Sequence, residues 1–193
     1  MLEQSYVLSS KIKIASKYDK QNYAGTQYHF YSKYSLFVLK ALRRKSFQEF
    51  LDVMLKTEDI EEANIDAVKI EVFPAPRRNG FNIAGKCNTY RGRIRIYPKN
   101  IKFCYAFREE FGKDSLVAYA GNRARASLIH ELLHLKYASD EEQVRELTKI
   151  YFTKYEQQFD KKTNSISIYQ LLFYAKSLKL GEIIKKHNEK IKD

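Results

Sequence analysis

Tryptophan is absent from this 193-residue chain, proline occurs only at Pro74, Pro76 and Pro98, and cysteine only at Cys87 and Cys104. Two thiols cannot form a disulfide framework, so they read as free cysteines, with one bridge as the alternative. With no proline after Pro98, nothing of that kind breaks helices in the second half. No run of eighteen apolar residues occurs, which excludes a membrane-spanning helix. The start, Met1-Leu2-Glu3-Gln4-Ser5-Tyr6, lacks the basic-then-apolar form of a signal peptide, so an intracellular, cytoplasmic protein is expected. Internal repeats and low-complexity tracts are missing too. Acidic side chains are absent between Glu71 and Glu109.

The rest of the composition is that of a folded protein: 44% hydrophobic and 30% charged, with a net charge of +12. One α+β domain over residues 1–193 is the economical reading. Residues 1–60 read as mainly helical, with Phe47, Phe50, Leu51 and Met54 on one face of a helix over about residues 32–56. The polar lead at 17–34 reads as irregular. Residues 67–98 alternate apolar and polar around the turn signals Asn79-Gly80 and Arg91-Gly92, and form the only good β segment. Residues 100–193 read as helices punctuated by Gly112, Gly121 and Gly181, with 161–193 a C-terminal helical extension. The spacing predicts a small antiparallel or mixed sheet packed on a helical core.

The pattern that carries chemistry is His130-Glu131-Leu132-Leu133-His134. At about 3.6 residues per turn, positions i and i+4 share a helix face, so both imidazoles reach one metal ion. Glu131 lies one step round, within reach of a water on that metal, and serves as general base. Two imidazoles plus an oxygen ligand make a usual catalytic zinc set with one open position, so Zn2+ is the expected metal. Leu128, Leu132 and Leu135 recur at helical spacing and supply a core face. Gly121-Asn122 reads as the entry to this helix, and Ala138-Ser139-Asp140 as its exit, with Ser139 or Asp140 capping the next.

A second helix from Asp140 onward would return antiparallel after so short a link. With the turn near Ala138, Glu142 stands at the height of His134 and is the expected third metal ligand. Glu146, one turn on, is placed to hydrogen-bond a ligand histidine from outside the metal's own shell.

Residues 123–147 resemble the active-site helix and glutamate helix of the zincin metallopeptidases, in particular the compact gluzincins. In those, H-E-x-x-H is followed by a glutamate ligand on the next helix, often with another acidic residue four positions on; Glu142 and Glu146 match that arrangement. A small sheet ahead of the metal helix is typical of the group, and strand-like residues 68–73, 81–87 and 93–97 fit it. The link from His134 to Glu142 is shorter than in most gluzincins. Counted by the metzincin pattern, the following positions are Tyr137 and Asp140; the missing glycine argues against that branch but keeps Asp140 as a rival ligand. The resemblance implies hydrolysis of a protein or peptide substrate, held as an added strand along an edge at residues 83–88. Tyr90, Tyr119 or Tyr137 are candidates to stabilise the oxyanion.

Charge adds a further expectation. Arg91, Arg93 and Arg95 alternate with Gly92 and Ile94, and on a strand they would share one face suited to nucleic-acid phosphates, with Tyr90 and Tyr97 beside it. The alternative function is therefore a basic nucleic-acid-binding or regulatory protein with a structural or degenerate metal site. Cys87 and Cys104 sit in no metal-ligand spacing, which favours the peptidase reading.

Overall fold

The chain opens into its sheet almost at once: helix α1 (Val7–Lys11) leads directly into strand β1 (Ile12–Ile14). The structure is a computed structural model and describes residues 7–15, 25–75 and 83–159. Helices α2 (Gly25–Leu42) and α3 (Lys45–Thr57) come next, then β2 (Ala67–Ile70), β3 (Gly85–Asn88) and β4 (Arg93–Ile96). Helices α4 (Ile101–Tyr137) and α5 (Glu141–Phe159) complete the described part. The fold is α+β, a mainly helical assembly around one small mixed sheet.

The strand order is β1-β2-β4-β3, with β1, β2 and β4 parallel and β3 antiparallel to β4 at the edge. Alternation decides which face is covered. Ile12, Val68, Ile70, Ile94 and Ile96 are buried, while Lys13, Lys69, Arg93 and Arg95 between them are exposed. Helix α2 packs on β1 and β2, and α4 packs on β3 and β4. Leu128, Leu132, Val144, Phe152 and Tyr155 join these strands and α3 in a single apolar core. Among the described residues, no helix is long and apolar enough to cross a membrane.

Several boundaries differ from those expected. The single helix over 32–56 is two, broken at Arg43–Arg44, where Arg44 is extended (φ −58°, ψ 130°). One local and one long-range hydrogen bond hold the break: the Gln48 amide donates to the Leu42 carbonyl (2.6 Å), and Arg43 donates to the Ile12 carbonyl (2.7 Å). Helix α2 also takes up residues 25–34 of the segment expected to be irregular; residues 16–24 lie outside the described ones. Strand β1 adds a β element ahead of 67–98.

Gly121-Asn122 is no helix entry, since α4 runs through it and both residues are buried. A Cβ at Gly121 would stand 3.2 Å from that of Ala41, so this glycine lets α4 approach α2 closely. The interruption falls instead at Gly112 (φ 84°, ψ 169°), a conformation that side chains other than glycine's resist. Residues 76–82, with the Asn79-Gly80 turn, and residues 160–193, with Gly181 and the expected extension, lie outside the described part.

Candidate metal centre

The last turns of α4 and the first of α5 are joined at Ala138, whose positive φ (49°) reverses the chain. Asp140 accepts from the Gln143 backbone N–H (3.1 Å) and so caps α5. The two helices then run back along one another. Because Leu128, Ile129, Leu132 and Leu133 face the core, His130 and His134 fall on the half-buried flank that meets α5.

His130, His134 and Glu141 converge there, each offering a ligand atom within 4.8 Å of the others. The two Nε2 atoms are 3.1 Å apart. Glu141 places Oε2 3.4 Å from His134 Nε2 and Oε1 3.6 Å from His130 Nε2. Zinc bonds of about 2.0–2.1 Å at tetrahedral angles put neighbouring ligand atoms about 3.3 Å apart. The three observed separations bracket that edge, so the donor set fits a zinc ion.

Protonation agrees with the spacing. His134 Nδ1 lies 2.6 Å from the Ala138 carbonyl, which only accepts, so Nδ1 carries the proton. Thr148 Oγ1 gives its proton to the Val144 carbonyl (2.6 Å) and is left to accept from His130 Nδ1 (3.3 Å). Both Nε2 lone pairs therefore face the same point. Two such lone pairs at 3.1 Å repel unless a cation lies between them. Burial lowers the pKa of His130 against the opposing pull of Glu141, with His134 and Arg145 lowering it further, so the ring is held in the neutral form that metals need.

Glu131, about 100° round the helix from His130, packs against Gly85 of the edge strand β3 and stays close enough to the site to feel the charge of Glu141. A Cβ on Gly85 would stand 2.5 Å from Glu131 Oε1 and 2.7 Å from its Cγ, so only glycine fits opposite this carboxylate. Its pKa is raised to about 7, first by burial and then by the charge of Glu141, against a backbone hydrogen bond from Cys87. A buried carboxyl with one donor and a pKa near neutrality is suited to taking and returning a proton. The Cys87 thiol is pushed up to about 12 by burial and by Glu131, and its sulfur is not among the converging ligand atoms.

The carboxylate that meets the two histidines is Glu141, one residue before the Glu142 expected as third ligand. Glu142 and Glu146 are exposed and outside the histidine group, as is Asp140, which is spent on its cap. Height along the helix puts the carboxylate on the right turn, but about 100° of rotation separates adjacent helix positions. The buried stripe of α5 is Val144, Thr148, Tyr151, Phe152 and Tyr155, and Glu141 lies three residues before Val144 on that stripe. Thr148, not Glu146, buttresses His130. The hydroxyl candidates also fall elsewhere. Tyr119 is buried against Phe103 and Phe107, Tyr137 donates to Glu58 (2.7 Å), and Tyr90 is 95% exposed.

Of the three arginines expected on one strand face, Arg93 and Arg95 are on β4, whereas Arg91 ends a short 3-10 turn. Arg93 pairs with Asp66 (2.6 Å) and Arg95 with Glu71 (3.6 Å). These two cations of the acid-free stretch thus find counter-ions in the residues that flank β2 on either side.

No family model matches this chain, and neither curated proteins nor solved structures show a significant match to it.

Proposed function

We propose that the protein is a zinc-dependent metallopeptidase, with His130, His134 and Glu141 holding the metal and Glu131 as general base. The observation that carries this reading is the pair of Nε2 lone pairs aimed at one point beside a carboxylate, with a second carboxylate of raised pKa next to them. The ligand group has three members among the described residues. Catalytic zinc sites take three protein ligands and keep one position open, whereas structural sites close with four. That count favours catalysis over a metal that merely braces two helices.

When bound, zinc supplies a Lewis acid for the scissile carbonyl and lowers the pKa of a coordinated water. The remaining work belongs to the chain. Glu131 accepts the water's proton and later delivers it to the departing amine. Thr148 and the Ala138 carbonyl fix both imidazole rings.

Among the described residues no strand pairs with the outer side of β3, and a peptide would add along that edge. Since Tyr97 N–H donates to the Ala84 carbonyl (2.9 Å), antiparallel alternation turns the N–H and C=O of Gly85 and Cys87 away from β4. The Cys87 N–H on that side already meets Glu131. A peptide added there would arrive beside the general base.

Glu131→Gln tests the assignment. The variant should keep its zinc and cleave unstructured casein at least about 100-fold more slowly than wild type. Equal cleavage by the two proteins would remove Glu131 from the mechanism.

A further inference from the structure

The uncovered face of the sheet carries an arrangement unexplained by the metal centre. Register aligns Lys13 with Lys69, Lys69 with Arg95 and Arg95 with Lys86, so four cations form one row across all four strands. All four are exposed. Strands about 4.8 Å apart make this row about 14 Å long. Like charges directly opposite one another on a sheet destabilise it, and threonine or valine would suit such positions better. Lys86 alone would be an ordinary guard for an edge strand. That guard does not call for three more cations in register behind it. Glu71 lies 3.6 Å from Arg95 and offsets part of the charge, but the row stays cationic.

We infer that this row selects acidic peptides: a substrate strand added at β3 presents aspartate or glutamate on the sheet's outer face, beside Lys86. The inference rests on the peptidase reading. In an added strand, residues opposite Gly85 and Cys87 point inward, toward Glu131, and those opposite Lys86 point outward. Acidic residues thus fall next to the position presented to the metal rather than at it. A peptide is favoured over nucleic acid because the row ends at the edge strand β3, where a substrate strand would add. Among the described residues, the exposed positions of the four strands carry no aromatic ring on which bases could stack; the exposed Tyr90 stands beyond β3, in the turn to β4.

The test uses labelled peptides that alternate valine with glutamate, glutamine or lysine, and full-length, zinc-loaded Glu131→Gln protein. Fluorescence anisotropy should show the glutamate peptide binding about fivefold or more tighter than the glutamine one, and the gap should shrink with salt. The double variant Lys69→Glu/Lys86→Glu, checked for folding by circular dichroism, should reverse the preference toward the lysine peptide. Equal binding of all three peptides would overturn the inference, as would a DNA duplex that outcompetes the glutamate peptide. Zinc-loaded wild type separates the two claims. Cleavage of glutamate and glutamine peptides at equal rates sinks the acidic preference alone. Selective binding of the glutamate peptide without cleavage upholds the surface and counts against the peptidase.

Discussion

Glu58 and Glu131 both keep little exposed surface, but Glu131 lies the deeper of the two and their carboxyls are driven in opposite directions. Burial alone raises both. At Glu58 that effect is outweighed by hydrogen bonds from the Tyr151 hydroxyl, the Tyr137 hydroxyl (2.7 Å) and Lys136 (3.3 Å), so its pKa is lowered. At Glu131 burial is joined by the charge of Glu141, and a single backbone N–H from Cys87 opposes them. Glu58 is satisfied as an anion and ties the end of α3 to α4 and α5. Glu131 is left short of donors, next to a converging ligand set. What separates a structural carboxylate from a reactive one here is the depth of burial together with the number of donors.

A large loss of stability is expected at Glu58. Glu58→Ala strands the Tyr137 and Tyr151 hydroxyls and should cost about 3 kcal/mol in urea unfolding at neutral pH. The folded pKa is depressed, so the carboxylate's contribution is present above the ordinary carboxylate value and is lost as pH falls through the lowered one. Wild type and variant should converge in acid. A loss independent of pH would mean that packing, not charge, is what Glu58 supplies.

Glu131 should behave in the opposite sense in metal-free protein. Its folded pKa is raised to about 7, so the folded state keeps a proton that the unfolded chain has already released. Wild type therefore loses stability as pH rises from about 4 toward that value. Glu131→Gln carries no such group. Without metal it should match wild type near pH 4 and exceed it by about 3 kcal/mol near pH 8. A wild type more stable than the variant at pH 8 would place Glu131 with Glu58.

A smaller effect probes the groups behind the metal ligands. Thr148→Val removes the acceptor for His130 Nδ1 while keeping the side chain's shape. Zinc affinity should fall about tenfold, read by competition with a chelating dye. Unchanged affinity would show that the ring needs no such brace.

The two carboxylates also mark what the sequence can reveal. Glu131 is visible because its signal is local: a five-residue string whose meaning follows from the helical period. Glu141 is within reach of the same period, since it heads the stripe continued by Val144 and Thr148, but height without azimuth points to Glu142. Glu58 leaves no local trace, for its partners stand 78 to 93 residues away. The Arg43–Arg44 break is hidden for a different reason: it carries no glycine or proline, and is held by Gln48 on Leu42 nearby and by Arg43 on the distant Ile12. Strand β1, like Glu58, leaves no local trace: its three residues become a strand only by pairing with Val68 and its neighbours. The mixed sheet on a helical core is legible, because residues 67–98 alternate and the rest follows helical spacing. The counter-ions of Arg93 and Arg95 are not, because an acid-free sequence stretch says nothing of Asp66 and Glu71 across the sheet.

Everything proposed for the site depends on which side chains hold the metal, and zinc binding by wild type beside Glu141→Ala and Glu142→Ala puts that choice to the sharpest test. Elemental analysis should find about one zinc per chain in wild type and in Glu142→Ala. Glu141→Ala should bind at least about 100-fold more weakly in a competition titration, having lost one of three ligands. A wild type without zinc affinity, or a Glu142→Ala variant that loses zinc while Glu141→Ala keeps it, would contradict the site as built from His130, His134 and Glu141.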